Sequence, residues 1–363
     1  MINRGSWGLF LIFLLASVPV YGQEDLDAQV HTAAEAVERG PYEVATLGFR
    51  NFFSPSRPKR EIPVHIYYPS AEGAWPVILI SHREGGTIRT HSDLAIHLAS
   101  HGFMVCCVEH EGSREQDRIK LKVWETLRTM TRDSREVLGR PVDLREVLDQ
   151  IELWNGGHDA LWGKFNLEHV GVFGDSMGAY TAMVACGVRP AVDWIREPVA
   201  AADLIKPPKN LLKGNSERKE GLSEETLQDD RIDAAVMLTP PGPREPYFRE
   251  DSFAELNRPL LGIAAQGDES DRLSPGTRRR WFDASPDTRS MLLWLTDRES
   301  SQADSVTPLV KAATVLFFEA YLKGKADSLE ELNREALASL IGDPGMEILT
   351  KEAPTLEISE AIE

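Results

Sequence analysis

Six short segments fix what this chain can fold into: "WPVILIS" (75–81), "FMVCCVEH" (103–110), "HVGVFGDS" (169–176), "IDAAVMLTP" (232–240), "PLLGIAAQG" (259–267) and "SMLLWLTD" (290–297). Apolar runs of this length read as strands, and a continuous one such as "WPVILIS" reads as a strand buried on both faces. Helical patterns separate them. "SDLAIHLASHG" (92–102) has Ser92 as N-cap and Gly102 as C-terminal stop, and "RPVDLREVLDQIELW" (140–154) lines Val142, Val147, Leu148 and Ile151 along one side. "GAYTAMVACGV" (178–188) and the strongly apolar "TPLVKAATVLFFEAYLKG" (307–324) follow, while "EIPVHIYYPS" (61–70) alternates like a strand before a Pro-Ser turn. Strands alternating with helices predict an α/β domain, with a mostly parallel central sheet and helices on both faces.

The remaining chain is read around that core. The first 22 residues place Arg4 before an apolar run from Trp7 to about Val20, with small residues at Val20 and Gly22, as in a secretory signal cleaved near Gly22. The run is short for a membrane span, and an uncleaved anchor is the alternative. Removing it leaves 39 basic and 57 acidic side chains, a net charge of −18. That charge disfavours nucleic acid and anionic membrane surfaces as partners. The α/β domain is expected over 23–325, with the polar, Pro-punctuated stretch 189–231 as an excursion over the sheet edge, either a lid or a plain surface loop. An acidic C-terminal segment, 326–363, holds one amphipathic helix (328–342) and a fraying tail. Cys106, Cys107 and Cys186 form no disulfide framework and read as small buried hydrophobes, a single bridge to Cys186 being the alternative. Arg278–Arg280 reads as a solvated turn or helix start.

The stretch "VGVFGDSMGAYTAMV" (170–184) carries the chemistry. Gly174-Asp175-Ser176-Met177-Gly178 fits G-x-S-x-G in its confirming context, a buried strand before and a helix after. Such a turn is strained, needs small residues at both glycines, and pushes the serine hydroxyl out at the carboxyl edge of the sheet. There the backbone N–H of Met177 can face a developing oxyanion.

With "VHIYYPS", "WPVILISHREGG", "HLASHGFMVCCVEHEGS", "RPVDLREVLDQIE", "DDRIDAAVMLTPPGP" and "FFEAYLKG", this elbow resembles the α/β-hydrolases, specifically the secreted platelet-activating-factor acetylhydrolase-like and predicted dienelactone hydrolase-like branch. The resemblance spans about 60 to 325. It implies ester hydrolysis by a triad in the chain order Ser, Asp, His. The acid falls just past "PLLGIAAQG", where "GDESDRLSP" offers Asp268 and Asp271, and Asp271 has the spacing closer to the family's. The histidine falls past "SMLLWLTD", where Asp297 matches and Arg298 stands in the histidine's place. All nine histidines precede Ser176, the last being His169. Arginine stays protonated and cannot act as the base. It would instead pair with Asp271 or Asp297, or with Glu84 across the cleft.

The oxyanion loop departs as well. The family pattern of roughly Ser-His-Gly-x-Gly-Gly reads "SHREGG" here, with Arg83 for a glycine and Glu84 at the position whose backbone N–H completes the hole. His82 is the histidine closest to the site by sequence logic and is expected to be structural, and His110 to hold a turn at the same edge. His97 and His101, with His91 nearby, have helical i, i+4 spacing but no completing ligand, so they read as helix-surface residues and no metal is expected. No cofactor signal is present. Three functions follow: a serine ester hydrolase of ordinary or weak activity on a small-molecule ester or acyl ligand, a catalytically silent secreted binding or scaffold protein that keeps the pocket, or a Ser176 that reacts with strong acyl donors without turnover. No reading fixes an oligomeric state.

Overall fold

A computed structural model describes residues 30–49, 52–111, 134–192, 227–243, 247–267, 275–296, 306–342 and 345–351. The strands are β1 (Val44–Phe49), β2 (Val64–Pro69), β3 (Trp75–Ser81), β4 (Met104–Val108), β5 (Phe165–Asp175), β6 (Ile232–Leu238), β7 (Leu260–Ala265), β8 (Met291–Leu295) and β9 (Met346–Thr350). They form one nine-stranded sheet in the order β1-β2-β4-β3-β5-β6-β7-β8-β9. β4 through β8 are parallel, and β2 and β9 run against the rest. The helices of the described residues are α1 (Ser92–Ser100), α2 (Ser134–Gly157), α3 (Met177–Ala185), α4 (Pro275–Ala284), α5 (Thr307–Leu322) and α6 (Arg334–Ile341). The α/β fold expected from the alternation of strands and helices is present, in the arrangement of an α/β-hydrolase.

Successive strand side chains point to opposite faces, so each buried strand feeds two cores. Val77 and Leu79 of β3 join Val147, Leu148 and Ile151 of α2 and Met183 of α3. Ile78 and Ile80 join Leu94 and Leu98 of α1 and Leu316 and Phe317 of α5 on the other face. The continuous apolar runs follow from this double burial: every residue of β3, β4, β7 and β8 is buried.

Several local expectations are corrected. β1 and β9 were not expected from the sequence, and α4 takes up the helix-start alternative for Arg278–Arg280. β1 and β9 are edge strands with half-exposed residues, and so lack the apolar run that marks the others. α2 begins at Ser134 and carries Pro141 inside it, rather than starting at Arg140. His91, not Ser92, is the N-cap of α1, and the Ser92 hydroxyl donates to Arg89 O instead. The expected helix 328–342 is broken into a 3₁₀ turn, Ala326–Leu329, and α6, because Asn333 caps α6 by accepting the Ala336 N–H at 2.9 Å. His97 and His101 are buried rather than on the surface. Their Nε2 atoms donate to Ala36 O (2.8 Å) and Glu38 O (3.0 Å), in the segment that covers α1. Arg278 is buried too and donates to Thr239 O at 2.8 Å, leaving Arg279 and Arg280 to face Glu347 and Glu250. Cys106, Cys107 and Cys186 are free and buried. Within the described residues no helix is long and apolar enough to cross a membrane. The expected leader 1–22, most of the expected excursion 189–231 and the end of the acidic tail lie outside the described residues.

Candidate active site

β5 ends at Asp175 and α3 begins at Met177, so Ser176 alone makes the turn between them. Its backbone has φ 54° and ψ −106°, a conformation that costs a non-glycine residue on the order of 1–3 kcal/mol. The Ser176 N–H donates to Leu238 O of β6 at 2.9 Å, and Ser176 O accepts the Tyr180 N–H at 3.1 Å. Those bonds hold the strained residue between strand and helix. A Cβ at Gly174 would overlap the Gly178 carbonyl, and one at Gly178 would overlap the Ser81 carbonyl. The two elbow glycines thus let α3 approach both its own strand and the end of β3 more closely than any side chain permits.

The only other non-glycine residue of positive φ among those described is Thr239, at φ 52°, immediately after β6. Thr239 Oγ1 donates to Asp175 Oδ1 at 3.3 Å, so the two strained residues are joined through the carboxylate that precedes the serine. Asp175 is fully buried. Its Oδ2 lies 3.2 Å from His91 Nε2 at the start of α1 and 3.8 Å from Arg83 Nη1 of the loop after β3. The His91 and Asp175 atoms face each other without the alignment of a hydrogen bond. Arg83, the departure from glycine in the loop, therefore has a partner within the elbow itself.

The loop after β3 is fixed by histidines. His110 N–H donates to His82 Nε2 at 3.2 Å, which leaves Nδ1 of His82 to carry the proton and donate to Arg83 O at 2.7 Å. Burial, then the charges of Arg140 and His110, hold the His82 imidazole well below its ordinary pKa. Both His82 nitrogens are thus committed, and the ring is not available as a base for Ser176. His110 is committed likewise: its Nε2 meets Ser81 Oγ at 2.9 Å and its Nδ1 meets Asp143 Oδ2 at 2.8 Å. Glu84 is exposed.

Ser176, Met177, Gly174, Gly178 and Glu84 therefore come to one edge of the sheet. Asp268 and Asp271 follow β7, and Asp297 and Arg298 follow β8. All four lie outside the described residues, and with them the pairing of Arg298 with Glu84, Asp271 or Asp297. Sequence reasoning missed Asp175 and Asp143. Asp143 stands four and eight residues before Val147 and Ile151, on the stripe that faces the core. A buried acid was therefore legible from the helical period. Asp175 had no such signal beyond its place in the elbow. Among the described residues no group of His, Cys, Asp and Glu could hold a metal ion.

Residues 63–122 match the family model of platelet-activating factor acetylhydrolase, isoform II. The match runs from the start of β2 past the oxyanion loop, His91 and His110, and stops short of Ser176. It agrees with the resemblance to the acetylhydrolase branch of the α/β-hydrolases and supports a hydrolase of that type. No curated protein matches the chain.

Proposed function

We propose that this chain is an acetylhydrolase-type serine hydrolase whose Ser176 accepts an acyl group but returns it slowly, because Arg298 stands where the histidine base belongs. The observation that carries the reading is the elbow: Ser176 keeps a strained φ of 54° between two glycines that no side chain could replace. Strain of this kind persists where surrounding structure imposes it, and it clusters at reactive centres. In this reading Ser176 is the nucleophile, the N–H groups of Met177 and Glu84 face the oxyanion, and Asp271 is the acid left without a histidine to orient.

The chemistry follows from the missing base. Ser176 Oγ attacks the carbonyl carbon, its proton passes to water, and the carbonyl oxygen takes the negative charge. Collapse expels the leaving group and forms the acyl-serine. Without a general acid, only a leaving group stable as an anion departs readily, so activated esters acylate and alkyl esters do not. Deacylation then needs a water deprotonated at the acyl carbon, and arginine cannot take that proton. Loss of the histidine alone costs on the order of a million-fold in kcat in a well-studied serine protease. The ligand is a small-molecule ester or acyl donor, not nucleic acid, and the reading needs no cofactor. With the first 22 residues acting as a cleaved signal, the protein works outside the cytoplasm.

The second reading is a silent binding or scaffold protein that keeps the pocket. It is favoured by the contacts of the buried Asp175 with Arg83 and His91, which crowd a guanidinium and an imidazole against the elbow. A fluorophosphonate probe separates the two. Labelling of the wild type that disappears in Ser176→Ala supports the nucleophile, and equal absence of labelling in both ends that claim.

A further inference from the structure

We infer that Ser81, His110 and Asp143 are positioning residues, a buried relay that sets the direction of the Glu84 N–H at the oxyanion loop. The three have the connectivity of a serine triad: Ser81 Oγ to His110 Nε2 at 2.9 Å, and His110 Nδ1 to Asp143 Oδ2 at 2.8 Å. All three are fully buried, so no substrate reaches the Ser81 hydroxyl and the relay is not itself hydrolytic.

Its tautomers are fixed from one end. Arg60 donates to both Asp143 oxygens at 2.6 Å, and Arg57 Nη2 lies 2.9 Å from Oδ1. Burial alone would raise the Asp143 pKa, but the bonds from Arg60 and His110 outweigh it and hold the carboxyl well below its usual range. An ionised Asp143 only accepts, so His110 carries its proton on Nδ1. Burial and the Arg140 charge depress the His110 imidazole to about 4 against the pull of Asp143, so Nε2 is bare at neutral pH and accepts the Ser81 hydroxyl. The same residue's backbone N–H donates to His82 Nε2, and His82 Nδ1–H donates to Arg83 O.

The last bond reaches the site. Arg83 C=O and Glu84 N–H belong to one planar trans peptide and point in opposite directions. Holding the Arg83 oxygen by His82, with a second donor in the Gly86 N–H at 3.0 Å, therefore fixes where the Glu84 N–H points. At the other end, the Ser81 carbonyl packs where a Cβ at Gly178 would sit, so the relay also sets the end of β3 against the elbow. This role explains how Arg83 can replace a glycine in the loop without freeing the peptide that follows it. The link to catalysis rests on the reading of Ser176 as nucleophile; the relay itself does not.

The test uses the full chain. Nitrogen-15 NMR of the histidine rings at pH 7 should show His110 and His82 both in the Nδ1–H tautomer, the one that free histidine disfavours. Hydrogen exchange should then show the amides of residues 83–87 exchanging about tenfold faster in Ser81→Ala, the loss expected for one buried hydrogen bond. Amides of α5 should be unchanged. Ser100→Ala, which removes a buried hydroxyl at the opposite edge of the sheet, should leave 83–87 as in the wild type. An Nε2–H tautomer at His110, or exchange that is unaltered or uniformly faster in Ser81→Ala, overturns the relay. Fluorophosphonate labelling of Ser176 should slow about tenfold in Ser81→Ala. A wild type that does not label overturns the nucleophile instead, while the tautomers and exchange rates still decide the relay.

Discussion

Asp175 Oδ2 lies 3.2 Å from His91 Nε2, and Asp175 is the residue immediately before the elbow serine. The same oxygen faces Arg83 of the loop after β3 at 3.8 Å, and the other oxygen accepts from Thr239. One buried carboxylate thus collects a helix start, a loop and a strained turn at the point where β5 becomes α3.

Removing that charge should loosen the edge. Asp175→Asn keeps the shape but leaves Arg83 and His91 without a carboxylate, and should cost about 1–3 kcal/mol. Urea unfolding reads this as a lower midpoint at unchanged slope. An unaltered midpoint would show that the charge is immaterial to folding.

The elbow strain should be measurable by its relief. Ser176→Gly places at φ 54° the one residue that adopts positive φ freely, and should stabilise the fold by about 1 kcal/mol after glycine's own entropic cost. Thermal unfolding should rise while probe labelling is abolished. Gly178→Ala should have the opposite effect, since its Cβ would overlap the Ser81 carbonyl; loss of soluble, cooperatively unfolding protein is the expected result.

Four buried histidines, His82 among them, give stability a defined acid limb. His110 and His97 are depressed from 6.5 to about 4, and His101 to about 3, all chiefly by burial. Between those values and 6.5 the unfolded chain binds protons that the folded one does not, so stability rises with pH across the window. It should be fully present above about 6.5 and fall as pH drops toward 4. The depressed carboxyl of Asp143 contributes in the same sense but in a lower window: its stabilisation is fully present above the ordinary aspartate value of 3.8 and is lost as pH falls below it. Urea midpoints at pH 7, 5.5 and 4.5 measure the slope. His97→Gln should flatten it.

Restoring a base should restore turnover. Arg298→His places an imidazole where the acetylhydrolase resemblance expects one, and should raise steady-state hydrolysis of an activated acetyl ester at least a hundredfold if base catalysis is the main deficit. A gain in turnover with unchanged probe labelling is the expected pattern. No gain would move the defect to Arg83 and Glu84.

The parallel core was legible because burial on both faces writes itself as uninterrupted apolar runs; "WPVILIS" coincides with β3 residue for residue. β1 and β9 were not, because an edge strand with mixed exposure has no such signature. The elbow was legible because its glycines answer to a steric demand that any chain would meet in the same way. The relay was hidden because its members lie far apart in sequence, Ser81 at the end of β3, His110 after β4 and Asp143 in α2. Asp143 alone could have been found, by asking why an acid falls on the Val147–Ile151 stripe. The charges on Asp175 could not, since helical and strand periods say nothing of the residue that sits at the turn.

His31 Nδ1 meets the buried Glu319 of α5 at 3.0 Å, and the same carboxylate receives Lys325 at 3.1 Å. With His97 and His101 holding Ala36 and Glu38, this fastens the beginning of the domain to the end of α1, at the amino edge of the sheet. Ser176 opens at the carboxyl edge. The described chain thus begins at the edge of the sheet opposite Ser176. A partner or affinity tag joined at residue 30 should therefore sit away from Ser176 and leave access to it unobstructed.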